Sequence, residues 1–143
     1  MSIDARKELV SRLVFQNPSQ RADLLDPERT QTALIALLLD VTRHFNLEIT
    51  AVRSDHRDDS AEGEHCHAHG WCADVWPLRS PRPGAYLDAD EPEFLDFLRT
   101  CAAAEHLHQV GLAGSSDTPD CRAASGSTCF PDSGADHLHL GAQ

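Results

Sequence analysis

At 143 residues the chain is long enough to bury one substantial core and short for two, so a single domain over 1–143 is expected. Hydrophobic and charged fractions of 41% and 24% are those of a globular chain, not a disordered or fibrous one. The net charge of -11 argues against nucleic acid or an anionic membrane surface as a main partner, since both are held by clustered Lys and Arg.

Residues 3–15 carry Leu9, Val10, Leu13 and Val14 at helical spacing, and Asn17-Pro18-Ser19 breaks the pattern. Asp26-Pro27-Glu28 reads as a helix start: a capping Asp, Pro in the first turn and an acid at the positive dipole end. The run Leu34, Ile35, Leu37, Leu38, Leu39, Val41 and Phe45 makes this the most apolar helix, stopped near Asn46. Residues 47–52 alternate at period two and predict a strand, which leads into Arg53 and a polar, acidic loop over 57–64. A second strand is predicted over 70–76, ended by Pro77, with a Pro/Arg/Gly loop to Gly84. Helical spacing returns over 91–105 with Phe94, Leu95, Phe97, Leu98, Cys101 and Ala102. Strands are expected over 109–112 and 137–140, separated by a Gly/Ser/Asp-rich loop over 114–134. The order predicts an α+β fold with a small antiparallel sheet flanked by helices. No apolar run reaches the roughly 18–20 residues that span a bilayer, so no membrane insertion is expected.

Five cysteines leave at least one unpaired within a monomer. Free thiols are the expectation for a reducing cytosol, with Cys121 and Cys129 placed to close a disulfide around a short Gly/Ser loop. Cys66 and Cys72 belong to no repeated C-x-x-C pair, which weighs against a zinc finger.

The nine histidines are clustered. His65, His67 and His69 alternate, as do His137 and His139. Alternate residues of an extended strand share a face, so each cluster can direct imidazoles to one point. Asp74 follows the first cluster. Two His and one carboxylate, with a fourth position left for water, is the recurring composition of a catalytic zinc site. The expected ligands are therefore His67, Asp74 and a histidine of Asp136-His137-Leu138-His139, assigned as His139, with His137 as the alternative. A His-rich tract that binds metal without catalytic purpose is the plainer reading.

His67-Ala68-His69-Gly70-Trp71-Cys72-Ala73-Asp74 resembles the H-x-x-G-x-A-x-D signature of the zinc D-Ala-D-Ala carboxypeptidases and L-alanyl-D-glutamate endopeptidases, whose fold is shared with the Hedgehog signalling domain. The closing Asp136-His137-Leu138-His139 is similar to that family's D-x-x-H or H-x-H segment, and Arg53 stands where the family places an Arg after a strand. The resemblance covers about 32–140. It departs at His65, where the family has Ser, at Cys72 in place of Ala, and at Val52 in place of Tyr.

The resemblance implies a Hedgehog/DD-peptidase-like fold and a zinc ion on His67, Asp74 and His139. It further implies a base in Asp136, an oxyanion or carboxylate holder in Arg53, and a proton donor or transition-state stabiliser in His137. The implied substrate is a peptidoglycan stem peptide or a short D-amino-acid peptide. The plainer roles are an Asp136 that orients a ligand histidine and an Arg53 in a surface salt bridge with Asp55 or Asp58. The start of the chain shows no secretory signal. Synthesis in the cytoplasm is expected, with delivery to the cell wall by lysis or on a phage-like particle. The competing reading is a non-catalytic Hedgehog-like zinc module in such an assembly. A His/Cys metal buffer with several loose sites is the third.

Overall fold

A computed structural model describes residues 3–53, 66–89, 91–113, 129–132 and 138–143. The elements run α1 (Ile3–Arg12), β1 (Leu13–Phe15), α2 (Pro18–Leu25), α3 (Thr32–Val41), β2 (Asn46–Ala51), β3 (Cys72–Leu78), α4 (Pro92–Ala103), β4 (Leu107–Ala113), β5 (Cys129–Asp132) and β6 (Leu138–Ala142). The six strands form one sheet in the order β1-β2-β3-β6-β4-β5. Among the described residues no helix is long and apolar enough to cross a membrane.

The α+β class matches the expectation, but the sheet is mixed, not antiparallel. β1 runs parallel to β2, and β5 runs parallel to β4. Both strands stand at the outer edges and have only three and four residues. A period-two signal needs more length than that, so 13–15 read as the tail of a helix and 129–132 as part of a loop. The parallel pairing of β1 with β2 requires a crossover, which α2 and α3 supply. Pro77 does not end β3. It pairs opposite Leu47, and its carbonyl accepts from the Leu87 N–H at 3.0 Å.

α3 begins at Thr32 with Gln31 as its cap, five residues later than a cap at Asp26 suggested. Residues 24–30 are braced by Arg6, whose side chain is almost wholly buried at 1% exposure. Its Nη1 donates to the carbonyls of Leu24 (2.9 Å) and Asp26 (3.2 Å) and to Thr30 Oγ1 (2.8 Å), and its Nη2 donates to the Thr30 carbonyl (2.8 Å). The segment forms a turn in which the Asp26 carbonyl also accepts the Arg29 N–H (3.0 Å) and the Thr30 N–H (3.2 Å). Asp26 still caps, but it caps a turn: its Oδ1 accepts the Glu28 N–H at 2.8 Å.

α3 then buries Leu34, Ile35, Leu37, Leu38 and Val41 completely. Each such side chain contributes roughly 1.5–3 kcal/mol. The side-chain cap that Gln31 fails to make costs about 1 kcal/mol. Burial therefore decides the position of this helix. It packs with α1 and α4 into one core with Leu47, Ile49, Val75, Leu138 and Leu140 of the central strands.

Because Arg6 satisfies four buried or part-buried acceptors, Arg6→Ala should lower stability by about 3 kcal/mol or more. Lysine, which lacks the planar fork, should recover only part of it. The midpoint of urea unfolding reads both effects.

Candidate metal centre

The site forms where β3 meets β6. The antiparallel register sets Asp74 directly opposite His139, so 65 residues of sequence separation close to one cross-strand pair. His67 reaches the same point from a turn just before β3. In that turn the Gly70 N–H donates to the His67 carbonyl (3.0 Å) and the Trp71 N–H to the Cys66 carbonyl (2.7 Å).

This turn corrects the alternation expected of His65, His67 and His69. Residues 66–70 do not form a strand, so spacing by two does not give a shared face. His67 is buried and His69 is exposed. His69 instead offers its backbone carbonyl to Gln31 Nε2 at 3.0 Å. His65 lies outside the described residues.

Gly70 shows why the turn can sit where it does. Its φ is +78°, and a Cβ there would stand 2.3 Å from the Arg29 carbonyl oxygen and 2.7 Å from the Thr30 Cα. Only glycine allows this approach and this backbone together. The Gly70 carbonyl accepts the Gln31 N–H at 2.9 Å, which completes the seam between the turn and the 29–31 segment.

The three donor atoms face one another. His139 Nδ1 lies 3.1 Å from Asp74 Oδ1, His67 Nε2 lies 3.4 Å from Asp74 Oδ1, and the two ring nitrogens lie 3.2 Å apart. Donors held about 2.0–2.1 Å from a tetrahedral zinc ion stand about 3.3–3.4 Å from each other. The observed edges of 3.1, 3.2 and 3.4 Å are at or slightly inside that spacing. All three residues are buried, at 2%, 2% and 8% exposure for His67, Asp74 and His139. The set is geometrically compatible with holding a metal ion.

Asp74 supplies the negative charge of the site. Burial pushes the Asp74 carboxyl up, but hydrogen bonds from His139 and His67, with their positive charge, outweigh it and hold the group well below the usual carboxylate range. The carboxylate is thus ionised before any metal arrives. A divalent cation can take the place of the protons that tie the three side chains in the metal-free protein.

Two cysteines at the ends of the turn are joined, contrary to the expectation of free thiols. Cys66 and Cys72 form a disulfide that encloses His67 in its loop. The missed signal is the tight return at Gly70, which brings the two ends of the turn together although no C-x-x-C spacing is present. Cys66 Sγ also lies 3.6 Å from His139 Nε2, on the side of the ring away from Asp74. Cys101 is a free, buried thiol whose burial raises its pKa. The suggested Cys121–Cys129 bond lies outside the described residues.

Arg53 is engaged with backbone. Its Nη1 donates to the carbonyls of Glu28 (3.0 Å) and Arg29 (3.2 Å), the latter being the group against which Gly70 packs. Asp136 and His137, the expected base and stabiliser, lie outside the described residues, as do Asp55 and Asp58. Of the two tryptophans flanking Asp74, Trp76 is half-buried against Phe94 and donates from Nε1 to the Leu87 carbonyl (2.8 Å), whereas Trp71 is exposed. His44, His106 and His108 are exposed.

The chain has no significant match among protein-family models, curated proteins or solved structures.

Asp74 gives the metal-free protein a testable pH dependence. An unfolded Asp titrates near 3.9, and the folded value is lower. The stabilisation is therefore fully present above about pH 4 and is lost as pH falls through the folded value. In a pH series of urea unfolding, Asp74→Asn should flatten that acid limb.

Proposed function

We propose that this protein is a zinc-binding domain that holds one ion through His67 Nε2, Asp74 Oδ1 and His139 Nδ1. The observation that carries the reading is the buried triangle of donors with edges of 3.1, 3.2 and 3.4 Å. Two imidazoles and a carboxylate are borderline-hard donors of the kind zinc accepts. The N-N-O composition and the tetrahedral spacing favour zinc over calcium or magnesium, which take six or more oxygen donors.

The resemblance to the zinc D-Ala-D-Ala carboxypeptidase group supports a second, finer reading: hydrolysis of an amide in a peptidoglycan stem peptide or a short D-amino-acid peptide. Three protein donors are the number found in catalytic zinc sites. When bound, zinc supplies a Lewis acid and an acidified water. On this reading Asp136 serves as the base and His137 stabilises developing charge. Arg53 would have to leave the Glu28 and Arg29 carbonyls to reach a substrate. A domain that binds zinc without hydrolysis needs nothing beyond the donor triangle, and its place in a larger phage-like assembly rests on the resemblance alone. Delivery to a cell wall by lysis or on such a particle belongs to the peptidase reading.

Mass spectrometry of the purified protein should find about one zinc per chain, and Asp74→Ala or His139→Ala should reduce occupancy at fixed zinc by roughly tenfold or more. Metal retained in full by both variants would sink the ligand set. Zinc at about 100 times its dissociation constant should also raise unfolding free energy by about 2.7 kcal/mol.

Peptidase action is tested separately, with muropeptides and D-Ala-D-Ala dipeptides analysed by chromatography. The peptidase reading expects cleavage that is lost in Asp136→Ala while zinc is retained. A zinc-loaded protein that leaves every such substrate intact supports the module.

A further inference from the structure

Beside the His67, Asp74 and His139 triangle lies a second group of donors that the zinc reading does not use. We infer that Cys66 and Cys72, once reduced, combine with His139 Nε2 into a thiolate site for a thiophilic divalent cation, and that reduction thereby moves His139 from one donor set to the other.

The inference starts from the two ends of one ring. His139 presents Nδ1 to Asp74 and His67, and presents Nε2 to Cys66 Sγ at 3.6 Å. In a tetrahedral zinc-type site with Zn–S about 2.3 Å and Zn–N about 2.0–2.1 Å, sulfur and nitrogen stand about 3.6 Å apart. The observed separation therefore already has the length of a ligand–ligand edge. Donor atoms of Cys66, Cys72 and His139 all lie within 4.8 Å of one another. Cys72 is 2% exposed, His139 is 8% exposed and Cys66 is half-buried, so the group is shielded yet approachable from the Cys66 side.

While the disulfide stands, neither sulfur is a thiolate and the site is closed to metal. Reduction by a dithiol breaks the S–S bond: the disulfide takes two electrons and two protons, and the reductant closes its own disulfide. Each new thiol then gives up its proton to solvent as the cation binds. Cys66 sits in the turn before β3 and Cys72 is its first residue, so the Cys66 end can part from a partner anchored in the sheet. Thiolates select soft cations, whereas the His67, Asp74 and His139 set does not. The two sets compete because both need the same imidazole.

The experiment uses the full chain and cadmium alone as the probe. On reduction with a phosphine, thiol titration should rise by two more per chain in the unaltered protein than in the Cys66→Ser, Cys72→Ser double variant. Cadmium added to reduced protein should then produce a thiolate-to-cadmium ultraviolet charge-transfer band well above that of untreated protein. That increment should vanish in Cys66→Ser and, as a second test of the same bond, in Cys72→Ser. His139→Ala should weaken cadmium binding by roughly tenfold or more, while Asp74→Ala leaves the band in place. An increment that survives both cysteine variants, one indifferent to His139→Ala, or a thiol count unchanged by reduction would overturn the inference. Zinc binding by untreated protein depends on Asp74, so a failure of the zinc reading shows there and leaves the cadmium result to stand by itself.

Discussion

A buried carboxylate with two imidazoles against it is the constraint around which this molecule is arranged. Asp74 lies on β3, in a sheet whose neighbours Ala73 and Val75 are wholly buried. A charge placed there is costly unless it is paired, and loss of one partner leaves the other uncompensated. His139 answers from across the ladder and His67 from the preceding turn. A slip of one residue between β3 and β6 would carry His139 to the opposite face and expose the charge to an apolar core. The same register that satisfies the carboxylate is the one that assembles the donors.

The support for that arrangement comes from the other end of the chain. Arg6 braces residues 24–30 through the Leu24, Asp26 and Thr30 carbonyls and the Thr30 hydroxyl. The Arg29 and Thr30 backbone then forms the surface on which Gly70 lies, and Gln31 holds the turn from its N–H and its side chain. Arg53, leaving β2, fastens the Glu28 and Arg29 carbonyls from the opposite side. The position of His67 is thus set by a buried guanidinium 61 residues earlier in the chain, through backbone that carries no metal ligand. The disulfide adds a covalent closure to the same turn and places sulfur against the far side of the His139 ring.

Local pattern made several of these features legible. The apolar spacing of α3 and α4 identified both helices and their buried faces, because a helix of ten or more residues repeats its period often enough to be read. The edge strands escaped because three or four residues do not. Asp26-Pro27-Glu28 has the chemistry of a helix start but caps a turn, and the Arg6 contacts that brace this turn leave no local trace. The pairing of Cys66 with Cys72 likewise depends on a turn closed against residues 29–31, for which Gly70 is the one local sign in the interval between the two cysteines.

What the sequence by itself determined is the inventory: two histidine clusters and Asp74 as candidate metal donors, two apolar helices, and strands that carry Asp74 and the final histidines. Residue chemistry and short-range period carry that much, since both are properties of neighbours along the chain. Only the tertiary structure decided which histidine of the first cluster turns inward, the cross-strand register that closes the triangle, and the oxidation of the adjacent cysteines. Each of these depends on contacts between segments distant in sequence, where burial and backbone pairing, not local pattern, select the geometry.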